Sequence, residues 1–193
     1  MEADQAELFI EITSFFNKAK IPYMITGAWS AIFYGRPRAS HDIDFVVELY
    51  NQDTWRVLEA LKELPEDFSV QEEDIREAIK IKSVFNIIHL PTLLKIDIWL
   101  LKDEEFDRSR FKRRKQVKIL GQLMWMVSAE DTILQKLRWY QMGKIEKHLV
   151  DAAFVYQIQQ KNLDKKYLVS WAEKLKVLDL LKEIKKIKPE DYY

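Results

Sequence analysis

Between residues 6 and 18 the apolar positions fall at helical spacing, with Leu8, Phe9, Ile12, Phe15 and Phe16 forming one stripe. Pro22 ends that helix. Residues 23–26 read as a short apolar strand closed by Gly27. Residues 28–34 then predict a helix with Trp29, Ile32 and Phe33 turned inward. A turn over residues 35–38 follows, carrying Arg36 and Arg38. From 42 to 49 the period changes to two: Ile43, Phe45 and Val47 share one face, Asp42, Asp44 and Val46 the other. Helices are predicted over 54–64 and 72–81. Strands over 84–90 and 94–100 flank Pro91-Thr92, and strands over 117–120 and 123–127 flank Gly121-Gln122.

The period-two signal stops near Val127. Ser128 has N-cap character, with Asp131 at the third helical position. Only helical patterns follow, over 130–141, 145–160, 165–175 and 177–186. This predicts an α+β fold in which a mixed β-sheet with flanking helices, residues 1–127, precedes a C-terminal helical bundle, residues 128–193.

Composition narrows the chemistry. The 193 residues are 48% hydrophobic and 32% charged, which suits one globular unit or a domain with a helical appendage. Lys+Arg and Asp+Glu are both 31, so net charge argues for neither nucleic acid nor membrane. The absence of cysteine removes disulfides, thiolate catalysis and cysteine-ligated zinc, and three scattered histidines do not make a metal site. The first ten residues lack a signal-peptide profile, and no apolar run approaches the ~20 residues of a membrane span. A cytoplasmic protein, with no membrane partner, is expected.

The informative exceptions are carboxylates in apolar strands. Asp42 and Asp44 stand at i and i+2, on one strand face with Cα atoms roughly 6.5–7 Å apart. Asp97 interrupts a second apolar strand, Ile96-Asp97-Ile98-Trp99. Carboxylates placed so are costly unless partnered, and an oxygen-only set suits Mg2+ or Mn2+ better than zinc or copper. Two such ions can activate a hydroxyl and neutralise a triphosphate. Gly27 precedes a helix whose first amides, beginning at Ala28, suit a phosphate, and Ser30 adds a hydroxyl.

These residues together form a recognisable pattern. Ile25-Thr26-Gly27-Ala28-Trp29-Ser30 followed by the stretch from Tyr34-Gly35-Arg36-Pro37-Arg38 to Asp42-Ile43-Asp44 resembles the nucleotidyltransferase superfamily with the DNA polymerase β-like fold. More narrowly it resembles the small prokaryotic branch that includes AbiEii-type toxins. Lys95-Ile96-Asp97-Ile98-Trp99 resembles that branch's third acidic strand. Ser128-Ala129-Glu130-Asp131 with Lys136-Leu137, and Lys147-His148-Leu149-Val150-Asp151, resemble its two later helices. The resemblance implies that Asp42, Asp44 and Asp97 are catalytic and metal-binding. It places Gly27 and Ser30 at a nucleoside triphosphate, and Ala28 retains its amide where the family usually has Gly or Ser. It implies nucleotidyl transfer from a triphosphate to RNA or tRNA, a protein hydroxyl or a small molecule, and an antitoxin partner if the toxin role carries over. The alternative is a non-catalytic nucleotide-binding or protein-interaction module on the same fold.

Other residues carry two readings each. Arg38 can clamp phosphate or decorate a solvated turn, and Arg36 less favourably so. Lys136 on an apolar helix face can contact a nucleotide or snorkel to solvent. Asp151 can pair with Lys136 or cap and solvate. His41 reads as structural. Residues 108–118 hold seven cations; a solvated, salt-bridged loop paired with residues 103–107 is the favoured reading over a nucleic-acid contact.

Overall fold

A computed structural model describes residues 3–40 and 42–187. They form two compact units. The first combines the residues up to Gly27 with Ala39–Met126; the second combines Ala28–Arg38 with the residues from Val127 onward. A contiguous split at 127 does not separate out residues 28–38, which belong with the C-terminal helices.

The first unit is built on a seven-stranded mixed sheet. Its strands are β1 (Tyr23–Ile25), β2 (Ile43–Val47), β3 (Phe68–Ser69), β4 (Val84–His89), β5 (Leu94–Leu100), β6 (Lys115–Ile119) and β7 (Gln122–Met126), in the order β3-β4-β5-β2-β1-β7-β6. The β2/β5 and β1/β7 pairs are parallel and the rest antiparallel. The alternation predicted from the sequence decides which face is covered. Ile43, Phe45, Val47, Ile96, Ile98, Leu100, Phe85 and Ile87 are all buried. Helix α1 (Ala3–Lys18) contributes its stripe of Leu8, Phe9, Ile12, Phe15 and Phe16 to the same core. Phe45 sits at its centre, with ring centroids 5.1 Å from Phe16 and 6.0 Å from both Phe9 and Tyr23. Helices α3 (Thr54–Leu61) and α4 (Glu72–Ile81) add Val57, Leu58, Leu61, Ile75, Ala78 and Ile79.

Two expectations fail here. The charged segment is not a solvated loop: Glu105–Lys112 is a helix, α5, which buries Phe106 and Phe111. Asp107 and Arg110 are buried with them, joined by a 2.7 Å ion pair. Arg114 stacks on Phe111 and Trp125, its guanidinium carbon 4.1 and 5.0 Å from the ring centroids. The basic run is therefore not one exposed stripe. The β6–β7 hairpin turns one residue earlier than predicted, at Leu120-Gly121, both with positive φ, as a two-residue turn of the primed type requires.

In the second unit, α2 (Gly27–Tyr34, from Ala28 onward) belongs with α6 (Ala129–Gly143), α7 (Glu146–Gln159), α8 (Lys165–Lys174) and α9 (Leu178–Ile184). Ser128 caps α6 by accepting the Asp131 amide at 3.2 Å, and Asp164 caps α8 through the Tyr167 amide at 3.0 Å. Within this unit Gly35 lies against α7. A Cβ there would meet Val155 Cγ2 at 3.1 Å and the Ala31 carbonyl at 2.6 Å.

Phe45→Ala leaves a cavity among three aromatic rings, so it should lower unfolding free energy by about 3–5 kcal/mol, measured by urea denaturation. A cost below ~1 kcal/mol would mean that this ring cluster is not the anchor of the first unit.

Candidate active site

The strand period that buries Phe45 also turns Asp44 to the other face. β2 and β5 run parallel with Asp44 directly beside Asp97, and β4 places Asn86 beside Asp97 in turn. Register-paired residues share a face, so Asn86, Asp97 and Asp44 form a row across three strands. Asp44 and Asp97 are half-buried, while Asp42, just before β2, is exposed.

The β1-to-α2 turn closes onto this row. The Thr26 amide donates to the Asp44 carbonyl at 3.0 Å. Gly27 follows with φ +66°, and a Cβ built there would stand 2.1 Å from Asp44 Oδ2 and 2.9 Å from its Cβ. Both the left-handed backbone and the missing side chain are required, so the carboxylate lies over bare backbone.

Three neighbours that the sequence reading passed over hold the carboxylates. Trp99 Nε1 donates to Asp44 Oδ1 at 3.3 Å, and the indole, two residues beyond Asp97, remains 41% exposed. Asn86 Nδ2 donates to Asp97 Oδ1. Lys95 Nζ lies 3.0 Å from the same oxygen. The alternation that marks Asp97 also places Lys95 and Trp99 on its face, so a strand-face reading of β5 contained that signal.

Among the described residues no three acidic or histidine side chains are gathered as a ready-made metal cage. Magnesium does not need one: it keeps several waters and is held by one or two carboxylates plus substrate phosphates. The carboxylate oxygens of Asp44 and Asp97, side by side on two strands, are donors of the hard kind such an ion takes.

The second unit holds a separate polar cluster. Arg38 donates to Asp151 through Nε at 3.0 Å and Nη2 at 2.9 Å, a bidentate pair. Lys136 Nζ donates to Asp151 Oδ2 at 2.8 Å, and both of those side chains are buried. Lys136 is thus not a snorkelling surface lysine, and Asp151 does not simply cap and solvate. Burial pushes the Asp151 carboxyl up, but the Arg38 hydrogen bonds and the adjacent Lys136 charge outweigh it and hold it below the ordinary range. Burial pulls the Lys136 ammonium down, and Asp151 restores only part of that. His148 packs at a tilt against Trp139, and its pKa is lowered by burial and by the Lys136 charge. Arg36 stacks its guanidinium 4.1 Å over the Phe154 ring rather than decorating a turn. Ala28 and Ser30 are buried. His89 pairs with Thr92 at 2.7 Å, and His41 lies outside the described residues.

Residues 27–188 match the family described as "Nucleotidyl transferase AbiEii toxin, Type IV TA system". No curated protein matches. The chain resembles the solution structure of the antibiotic-resistance factor ANT(2'')-Ia at 14% identity, covering 95% of this chain and 97% of that one, with a TM-score of 0.61. It also resembles an antigenic nucleotidyltransferase-like protein from Paracoccidioides brasiliensis, at 16% identity, 99% and 97% coverage and a TM-score of 0.56. Lincosamide antibiotic adenylyltransferase LnuA, lincomycin-bound, gives 17% identity, 79% and 96% coverage and a TM-score of 0.50. At these identities the structural likeness is one of fold.

Two outcomes follow. Gly27→Ala must displace Asp44 or distort the turn, so stability and divalent-ion binding should fall together, read by thermal melting and Mn2+ titration; unchanged values for both would refute the close approach. Asp151→Asn leaves Lys136 and Arg38 without their anion and should cost about 3–5 kcal/mol in urea melts near neutral pH. Because the folded Asp151 pKa lies below its unfolded value, its contribution is full above the unfolded pKa and fades as pH falls through the folded one. The gap between wild type and Asp151→Asn should therefore narrow as pH falls below the ordinary Asp value of about 3.9, and a gap independent of pH would contradict the assignment.

Proposed function

Because this chain belongs to the AbiEii nucleotidyl transferase family, we propose that it moves a nucleoside monophosphate from a nucleoside triphosphate to an acceptor hydroxyl, with Asp42, Asp44 and Asp97 as the working carboxylates. The observation that carries this reading is the Asp44–Asp97 register pair, with Asp44 seated over Gly27. Asp42 and Asp44, two apart at the mouth of β2, are the residues that would hold Mg2+ or Mn2+, with Asp97 beside them. When bound, the ion neutralises triphosphate charge and makes the acceptor hydroxyl more acidic.

The chain's own contribution is positional. Gly27 keeps the space under Asp44 clear of side-chain atoms. Trp99 steadies the Asp44 carboxylate through its indole N–H. Asp97, in the neighbouring strand, accepts the proton that the acceptor hydroxyl releases as its oxygen attacks the α-phosphorus and pyrophosphate departs. Gly27, Ala28 and Ser30 remain the proposed triphosphate contacts on the strength of the sequence pattern. In the second unit Arg38 and Lys136 share Asp151 as their anion; a nucleotide-binding role for the two cations rests on the sequence pattern.

The acceptors consistent with this chemistry are RNA or tRNA, a protein hydroxyl, and a small polyol such as an aminoglycoside. The family description supports a toxin role, hence an antitoxin partner and a cytoplasmic setting where triphosphates are abundant. Among the described residues no helix is long and apolar enough to cross a membrane.

The test is transfer of label from each α-labelled triphosphate to RNA, protein or aminoglycoside in the presence of Mg2+. Wild type should label one acceptor class, and Asp44→Ala should lower the rate at least about 100-fold, the scale of a lost charge-stabilising group. Failure of wild type to transfer any nucleotide, together with no Mn2+-dependent triphosphate binding, would overturn the reading.

A further inference from the structure

Asn86 is out of place by the ordinary rules of strands. It lies inside β4 between Phe85 and Ile87, both buried, and asparagine is depleted in strands because its amide competes with the backbone for hydrogen bonds. Here the amide has a specific use. Asn86 is register-paired with Asp97, and its Nδ2 donates to Asp97 Oδ1. Lys95, two residues before Asp97 and on its face, brings Nζ to within 3.0 Å of the same oxygen.

A carboxylate offers two oxygens of equal basicity until its surroundings distinguish them. Two donors on Oδ1, one of them charged, fix the plane of the group and so the direction in which Oδ2 points. The two donors are unequal. The Lys95 side chain is 55% exposed, so its pairing is screened and entropically costly. The Asn86 amide is half-buried, has fewer rotamers to lose and is held by the β4–β5 ladder.

We propose that Asn86 is a positioning residue for nucleotidyl transfer. It holds Asp97 by Oδ1 so that Oδ2 is the oxygen that receives the acceptor proton, with Lys95 in support. This rests on the reading of Asp97 given above. In the step it serves, the acceptor O–H bond breaks and its proton passes to Asp97 Oδ2. The acceptor oxygen forms its bond to the α-phosphorus, and the bond to pyrophosphate breaks with its electron pair. No oxidant or further reactant is needed.

The experiment compares wild type with Asn86→Ala, Asn86→Asp, Lys95→Met and Asp97→Ala. It follows α-labelled nucleotide transfer with Mg2+, the 13C carboxyl resonance of Asp97 and the thermal midpoint. Asn86→Ala should lower kcat about 30-fold with the KM for triphosphate unchanged within about twofold, and should shift the Asp97 resonance without moving the thermal midpoint. Asn86→Asp, which sets two like charges opposite each other, should be worse than Asn86→Ala, and Lys95→Met should cost less than about threefold. An Asn86→Ala enzyme with wild-type kcat, or with an unmoved Asp97 resonance, overturns the proposal while a dead Asp97→Ala leaves the general reading intact. A fully active Asp97→Ala overturns both. Parallel losses in kcat, KM and thermal midpoint would reduce Asn86 to a structural role and also overturn it.

Discussion

The close approach of Asp44 to Gly27 is the constraint on which the rest of the first unit depends. A side chain at position 27 would occupy the place of the carboxylate, and a right-handed backbone would redirect the chain as it leaves β1. Because the Thr26 amide also bonds the Asp44 carbonyl, the turn and the acidic strand are fixed to each other through backbone as well as side chain. The register of β2 against β5 then determines that the third aspartate arrives next to the second.

The two faces of this sheet divide its labour. One is an aromatic and aliphatic core in which Phe45 touches Phe9, Phe16 and Tyr23, and it supplies the rigidity. The other carries Asp44, Asp97, Asn86, Lys95 and Trp99, each on a strand whose alternate residues are locked in that core. The backbone under these groups is held in place, because displacing it means disturbing packed hydrophobic neighbours. The second unit keeps its charges differently, by burying one carboxylate between two cations.

Much of this was legible in the sequence for a simple reason. Strand alternation converts sequence parity directly into sheet face, so the common face of Asp44 and Asp97 can be read without coordinates, and Gly27 stands out as the residue that closes an apolar strand. The Ser128 cap followed from local chemistry alone. What escaped required long-range information. Trp99 to Asp44 and Asn86 to Asp97 depend on the register between strands, which periodicity does not encode. Arg38 and Asp151 are 113 positions apart. Helix α5 escaped for a different reason: the charges between residues 103 and 115 overwhelm the signal from Phe106 and Phe111, and its buried Asp107–Arg110 pair lowers the apparent hydrophobicity of a segment that is in fact packed. β3, only two residues long, leaves no periodic trace.

The Arg38–Asp151–Lys136 trio has a bearing on how sequences of this kind can drift. It contains two cations and one anion, so its members are not equivalent targets of substitution. Replacing Lys136 by a neutral residue of similar length leaves a balanced Arg38–Asp151 pair. Replacing Asp151 first strands two positive charges in a buried place. The intermediate on the way to the double substitution is therefore mild in one order and severe in the other, although both orders end with Arg38 deprived of Asp151. Charge balance alone thus makes the path through these positions directional: loss of the lysine leaves a matched pair, loss of the aspartate does not.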